Sequence, residues 1–258
     1  MITHKNISLF FLFLLLLLLF LKLYIAINWV WFIAIVLIWL GINAVGSSII
    51  SSNYHVKAYC NNPLETEKKI ALTFDDGPSD FTLEVLELLK KYKVKATFFC
   101  IGKNIEKHPE IVKQIIDEGH LVGNHSYSHS NFFDFYTAKT IREEIKKTDT
   151  LLEKYTSKKI NFFRPPYGVT TPSIRRALKT TGHKVIGWNI RSLDGGTKNQ
   201  NLIFNRIIKR ISPGGIVLLH DTGSHSVLVL EQFLQFLQQN NYKVISTEEL
   251  LNLKAYEN

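Results

Sequence analysis

Leu72-Thr73-Phe74-Asp75-Asp76-Gly77-Pro78 closes the apolar run Ile70–Phe74 with two adjacent carboxylates and a Gly-Pro turn. A short apolar run bounded by turn residues reads as a buried strand. Consecutive residues leaving a strand point opposite ways, so the two carboxylates take separate jobs; a helix N-cap and turn is the plainer alternative. Working outward, the pattern recurs. Further strands are expected at Ala96–Ile101, His120–Gly123, Phe162–Arg164, Lys184–Trp188, Gly215–Leu219 and Tyr242–Ile245. Between them lie helical segments, Thr82–Tyr92, Asn104–Glu118, Ala138–Tyr155, Thr171–Thr181, Leu202–Ile211 and Leu228–Asn240. This alternation predicts an α/β fold on a parallel sheet, and seven strands suit a (β/α) barrel, although an open doubly wound sheet reads much the same.

Three more polar clusters fall just after strands, where such folds gather their chemistry. His125-Ser-Tyr-Ser-His129 offers two imidazoles four apart, which on one helical turn can bind one cation, and no Glu stands between them as a zincin would need. Two surface histidines are the bland alternative, but Asp76 can complete a His₂-carboxylate set with an open position, the arrangement of a catalytic zinc. Arg164-Pro165-Pro166-Tyr167-Gly168 makes a rigid extended rim whose guanidinium can grip a carboxylate bidentately. His220 ends the apolar run Ile216–Leu219. A lone histidine there is usually structural, but beside a metal it is a natural proton donor.

In this order and spacing the four clusters resemble the polysaccharide deacetylase family, the NodB-homology domain of carbohydrate esterase family four, from about Lys69 to Leu250, roughly 70 per cent of the chain. The resemblance implies a distorted (β/α) barrel of about seven βα units and metal-dependent removal of acetyl groups from N-acetylated sugars. It makes Asp75 the general base, Asp76, His125 and His129 the ligands of one divalent ion such as zinc, and His220 the general acid. Arg164 would pair with Asp75, the Tyr167 N–H would join the oxyanion hole, and Pro165, Tyr167 and Leu218 would meet the substrate.

One stretch departs from the pattern. Where the family shows Asp-x-x-Asp-Trp, this chain reads Arg191-Ser-Leu-Asp194-Gly195. Asp194 remains, while arginine replaces the first aspartate and glycine the tryptophan that would line the acetyl pocket with Leu218. Every metal and proton-transfer position is intact, so activity is still expected. The alternatives are a deacylase of a lipid-linked sugar and a non-catalytic, metal-containing sugar-binding membrane protein.

The first fifty residues are of another kind. Between Asn6 and Val56 the only charged residue is Lys22, and all 22 acidic residues of the 258 come later. As one helix this stretch would be nearly twice the ~30 Å hydrocarbon core, so it reads as a transmembrane hairpin. Ile7–Ile27 is the first span, the turn lies near Asn28, and Trp29–Val45 is the second, with Lys22 snorkelling beside Tyr24, Trp29 and Trp31. One long tilted anchor is the alternative. The chain thus divides into an anchor (1–50), a lead-in (51–68) and a catalytic domain (69–258).

The remainder holds 29 basic against 22 acidic residues. Its basic runs are interleaved with acids rather than forming an aromatic-studded stripe, so nucleic acid is not expected as a partner and anionic headgroups are. No obligate protein partner is implied. Cys60 and Cys100 stand in no metal or redox spacing and read as free thiols. The side of the membrane is pulled two ways: Lys5, Lys57, Lys68 and Lys69 flanking the hairpin favour the cytoplasm, whereas relatives acting on cell-wall polymers favour the outside.

Overall fold

The computed structural model describes residues 3–257. It opens with two helices, α1 (His4–Leu21) and α2 (Val30–Ser48), each long and apolar enough to cross a membrane. They run side by side, with Trp39 Nε1 donating to Ser8 Oγ (3.3 Å) across the pair. The first helix ends six residues earlier than the apolar run predicts. Lys22 folds its ammonium onto Ile27 O (2.7 Å) and over the Trp29 ring, closing residues 22–29 into the turn. At the open end the hairpin is fastened to the rest of the chain by His4 N–H to Tyr54 O (3.0 Å) and Tyr54 OH to Asn43 Oδ1 (3.1 Å).

The chain then forms β1 (Ala58–Tyr59) and β2 (Lys69–Asp75), and passes through α3 (Asp80–Lys91) to β3 (Thr97–Cys100). Next come α4 (Gly102–Lys107), α5 (Pro109–Asp117) and β4 (Leu121–Asn124), then α6 (Ala138–Thr156), β5 (Lys159–Ile160) and β6 (Phe162–Phe163). The last third holds α7 (Pro172–Thr181), β7 (Lys184–Ile186), β8 (Ile190–Arg191), α8 (Gln200–Ile208), β9 (Gly215–His220), α9 (Ser224–Gln239), β10 (Lys243–Val244), α10 (Thr247–Leu251) and β11 (Tyr256–Glu257). Eight strands pair in the order β1-β7-β6-β4-β3-β2-β9-β8, and β10 joins the start of β2, all parallel. The sheet curls, but β1 and β8 are its two ends and do not pair, so the expected barrel is a distorted, open one. The expected helix Asn104–Glu118 is two, because Pro109 cannot donate to the preceding turn and His108 leaves helical geometry (φ −129°, ψ 55°).

Strand parity sets up the site. On β2, Ile70, Leu72 and Phe74 face outward into a core with Val85, Leu86, Leu89 and Phe98. Ala71 faces the inside of the curl with Phe99, Phe162, Ile186 and Ile216. Thr73 and Asp75 share Ala71's face by alternation. On β9 the same rule sends Val217 and Leu219 outward and Ile216, Leu218 and His220 inward. In register Asp75 is paired with His220, so the strand ends bring both to one mouth.

Candidate active site

Asp76, His125 and His129 converge there. Asp76 leaves β2 with φ 74°, and its Oδ1 lies 3.3 Å from Nε2 of both histidines. His125 Nδ1 is 2.7 Å from Arg164 O. A carbonyl only accepts, so Nδ1 keeps its proton; against the cost of burial the Asp75 and Asp76 charges draw a second proton to Nε2, and it is the neutral ring, the form that binds a metal, whose Nε2 lone pair faces Asp76. Burial and the neighbouring His125 push the His129 imidazole down to about 4, so it too presents a lone pair. Against the cost of burial, the contacts with His125, His129 and His220 hold the Asp76 carboxyl well below the usual range. Asp76 Oδ1 is buried and takes no hydrogen bond. An unpartnered carboxylate oxygen set against two imidazole lone pairs is what a divalent cation resolves, and these three residues are the group among the described ones with metal-ligand spacing.

The two histidines do not sit on the expected helical turn. Residues 125–130 form a loop in which Ser126 (φ 63°) and His129 (φ 46°) are left-handed. The loop is held from outside: Glu144 Oε2 of α6 accepts from Tyr127 N, Ser128 N and Ser128 Oγ (2.7–3.1 Å), and Asn124 Oδ1 accepts from Ser126 N. Those carboxylate and amide bonds outweigh local helix formation.

Beside the donors, Asp75 is buried and its Oδ1 accepts from Arg164 Nη1 at 2.6 Å. The grip is single rather than bidentate. Arg164, fully buried, spends Nε on Ile186 O, Nη2 on Gly187 O and a second Nη1 bond on Thr73, with Phe99 stacked 4.1 Å from its guanidinium carbon. The arginine is thus locked, and Asp75 Oδ2 is left for other work.

Across the mouth, His220 Nδ1 meets Asp194 Oδ1 at 2.7 Å, and His220 N–H donates to Asp194 Oδ2 at 2.8 Å. Ser192 and Ser226 hydroxyls fill the remaining acceptor positions of Asp194 (2.5 and 2.8 Å). Burial disfavours the imidazolium, but the Asp194 bond and the Asp194, Asp75 and Asp76 charges outweigh it and push His220 up to about 9. Despite the departures around it, Asp194 is therefore the carboxylate that orients His220.

These groups open into a cavity of about 260 Å³ whose walls include Tyr167, Trp188, Leu193, Gly195 and Leu218, with Arg191 at the rim. Gly195 lies against the His220 ring, leaving space where the family pattern has an indole. Trp188, read as the last residue of a strand, supplies an aromatic wall instead, and it does so because Gly168 (φ 70°) has no Cβ: one would lie 2.3 Å from the indole. Tyr167 is also left-handed (φ 59°) and half exposed, and its hydroxyl donates to Asn131 Oδ1. Pro165 is buried behind the rim, its carbonyl accepting from Gly168 N–H, and is not part of the wall. Reading the sequence missed Glu144, Ser192, Ser226 and Trp188, whose roles depend on contacts far along the chain. It also missed Asp221, which lies beneath Gly77, accepts from Thr82 (2.5 Å) and is pushed up to about 7 by burial.

Fold and site together define an α/β-barrel hydrolase. The sequence profile described as polysaccharide deacetylase matches residues 63–186. A peptidoglycan-N-acetylglucosamine deacetylase of Bacillus cereus is 36% identical over 197 residues, covering 73% of this chain and 90% of that one. Among solved structures, a peptidoglycan N-acetylglucosamine deacetylase in complex with 4-naphthalen-1-yl-N-oxidanyl-benzamide superposes with a TM-score of 0.71 at 31% identity, covering 78% of this chain and 95% of that one. A carbohydrate esterase family four pseudoenzyme from Bacillus anthracis gives 0.68 at 31%, covering 75% and 68%. The chain belongs to the polysaccharide deacetylase family, whose enzymes hydrolyse the N-acetyl amide of sugars.

Proposed function

We propose that the protein is a membrane-anchored, metal-dependent N-deacetylase of a peptidoglycan-like glycan. The observation that carries this is the single mouth at which an unpartnered Asp76 Oδ1 faces two imidazole lone pairs, with a locked Asp–Arg pair on one side and an Asp-backed histidine on the other. Two nitrogens and one carboxylate oxygen suit zinc and leave a position open. A divalent ion held there supplies an acidified water and a polarised carbonyl.

The chain's own residues do the rest. Asp75, held by Arg164, accepts the proton of the attacking water through Oδ2. The Tyr167 N–H is free of the turn bonds that close its loop, which run from Gly168 N–H to Pro165 O and from Val169 N–H to Pro166 O. Aimed at the developing oxyanion, one such donor contributes about 2.7–4 kcal/mol. His220, protonated on Nε2 while Asp194 holds Nδ1, gives its proton to the leaving amine, and acetate and the free amino sugar depart. Leu218 and Trp188 bound the acetyl methyl.

The two deacetylases named above are peptidoglycan enzymes, which puts a wall glycan first. A lipid-linked glycan is the second reading, favoured by one contact. Thr170 N–H, three residues past Tyr167, donates to Ser47 O in the last turn of α2 (3.0 Å), so the rim of the cavity is tied to the end of the hairpin. Exposed Phe132 and Phe135 stand on the loop that follows His129. The test is acetate release by the full chain, with and without chelator, from peptidoglycan, chito-oligomers and a lipid-linked N-acetyl sugar. Wild type is expected to release acetate from at least one, and Asp75→Asn to release none while keeping its metal. Acetate release by neither protein would support a non-catalytic sugar-binding role.

A further inference from the structure

Away from the active site, the seam between the hairpin and the domain carries an unneutralised positive charge. Two adjoining hollows of about 480 and 500 Å³ meet at Lys5, Arg175 and Lys179. The inner one also holds Arg176 and is bounded on the hairpin side by Leu9 and Leu12, both more than half exposed. Lys57 and Lys184 border the outer one. No carboxylate lines either hollow among the described residues, and none of these six cations makes an ion pair there. Arg175 and Lys179, four apart on α7, stack like charge on one helical face, which is unfavourable unless an anion lies between them. His55, buried at the junction and bonded to Ser47 Oγ (2.9 Å), is pushed down to about 4 by burial and by the nearby His4 and Arg175, as expected where positive potential goes unanswered. The α1 N-terminus, with no acid in its first turn, adds its partial positive charge.

We infer that this groove binds the phosphate headgroup of an anionic membrane phospholipid, with Arg175, Arg176, Lys179 and Lys5 around the phosphate and an acyl chain lying along Leu9 and Leu12. The apolar flank separates this ligand from a free anion: those leucines lie on the exposed face of a helix that packs its other side on α2 and is apolar enough to span a bilayer. The inference rests on the membrane-anchor reading above. Its consequence is that one lipid fixes how the domain sits on the bilayer.

The test uses the full chain in micelles carrying equal phosphatidylglycerol and phosphatidylcholine, with retained lipid counted by native mass spectrometry. Near an anionic surface each cation is worth about fivefold. The triple variant Arg175→Gln/Arg176→Gln/Lys179→Gln is therefore expected to lose at least tenfold in phosphatidylglycerol preference, with acetate release from a soluble oligomer unchanged. Lys90→Gln/Lys107→Gln/Lys209→Gln, on or at the end of helices that do not line the groove, should keep the preference. Equal retention of the two lipids by wild type, an unchanged preference in the groove variant, or displacement of the lipid by millimolar inorganic phosphate would each overturn the proposal. Alkaline carbonate extraction separates the two readings. A chain that resists extraction but shows no lipid preference sinks the groove alone, whereas a chain that is released sinks the anchor and the groove with it.

Discussion

Replacing Asp194 by Asn tests the acid half of the site. Asp194 accepts four hydrogen bonds, two per oxygen, from His220 Nδ1, Ser192, His220 N–H and Ser226. An amide can satisfy only one pair, so either the His220 ring or its backbone N–H meets an NH₂ group. The first effect is electrostatic. His220 stands at about 9 because Asp194 bonds it and carries charge beside it. Returned to its ordinary value near 6.5, the imidazole would be ~9 per cent protonated at pH 7.5 instead of ~97 per cent, an approximately tenfold loss of competent acid. The second effect is orientation, since a buried donor left unmet costs about 1–3 kcal/mol and the ring is free to turn. The sign is fixed. An acid with a raised pKa is active below that value and loses activity as pH rises through it, so the basic limb of kcat/KM should move from about pH 9 to about pH 6.5 in the variant while the acidic limb stays. At pH 6 the two proteins should differ much less than at pH 8.5. The assay is acetate release across pH 5–10 with metal content measured in parallel. An unmoved basic limb, with metal retained, would falsify the assignment of His220 as the acid backed by Asp194.

Three further outcomes follow from the same geometry. His125→Ala removes one of the two imidazole nitrogens facing Asp76, and atomic absorption on the purified variant should find the metal lost along with activity; full metal content would refute the donor set. Arg164→Met leaves Asp75 buried without its partner and three acceptors without a donor, so denaturant unfolding should show a loss of about 3–5 kcal/mol. Gly168→Ala sets a methyl group against the Trp188 indole at a left-handed position and should reduce turnover more than it reduces stability, read as kcat beside the melting temperature.

How far the sequence reaches depends on the range of the interaction that decides each feature. Strand cores such as Ile70–Phe74 and Gly215–Leu219 are announced by local apolar runs, and their parity already sends Asp75 and His220 inward. The polar groups that follow these strands are legible for the same reason, because turn residues mark where a strand ends. The geometry that makes the groups work is decided elsewhere. Whether His125 and His129 sit on a helix turn or a left-handed loop depends on Glu144, fifteen residues past His129. Whether Arg164 grips Asp75 once or twice depends on carbonyls at Ile186 and Gly187, which no spacing rule reveals. Glycine stands where the family tryptophan would line the acetyl pocket, yet a different indole, Trp188, fills part of that wall from another strand end. Proline at 109 could have been read as the break between α4 and α5, but the apolar period runs through it.

For the membrane anchoring proposed above, the side of the membrane is the point on which charge and chemistry pull apart, and the groove bears on it. The flanking-charge rule treats Lys5 and Lys57 as topology signals and would put the domain in the cytoplasm. In the folded chain both residues line the basic seam at the open end of the hairpin, where an anionic headgroup would account for them without reference to sidedness. With that account of the lysines, the proposed substrate would decide, and a wall glycan would put the domain outside. Cys60 and Cys100 cannot report the answer, because both are buried and the Cys60 thiol is pushed up to about 11. A cysteine introduced at Lys113, exposed on α5, can. Treatment of intact cells with a membrane-impermeant maleimide is expected to label it before lysis. Labelling only after lysis would place the domain inside, remove polymerised wall glycan from its reach, and leave a lipid-linked precursor on the inner leaflet as the substrate that the tie between Thr170 and Ser47 already favours.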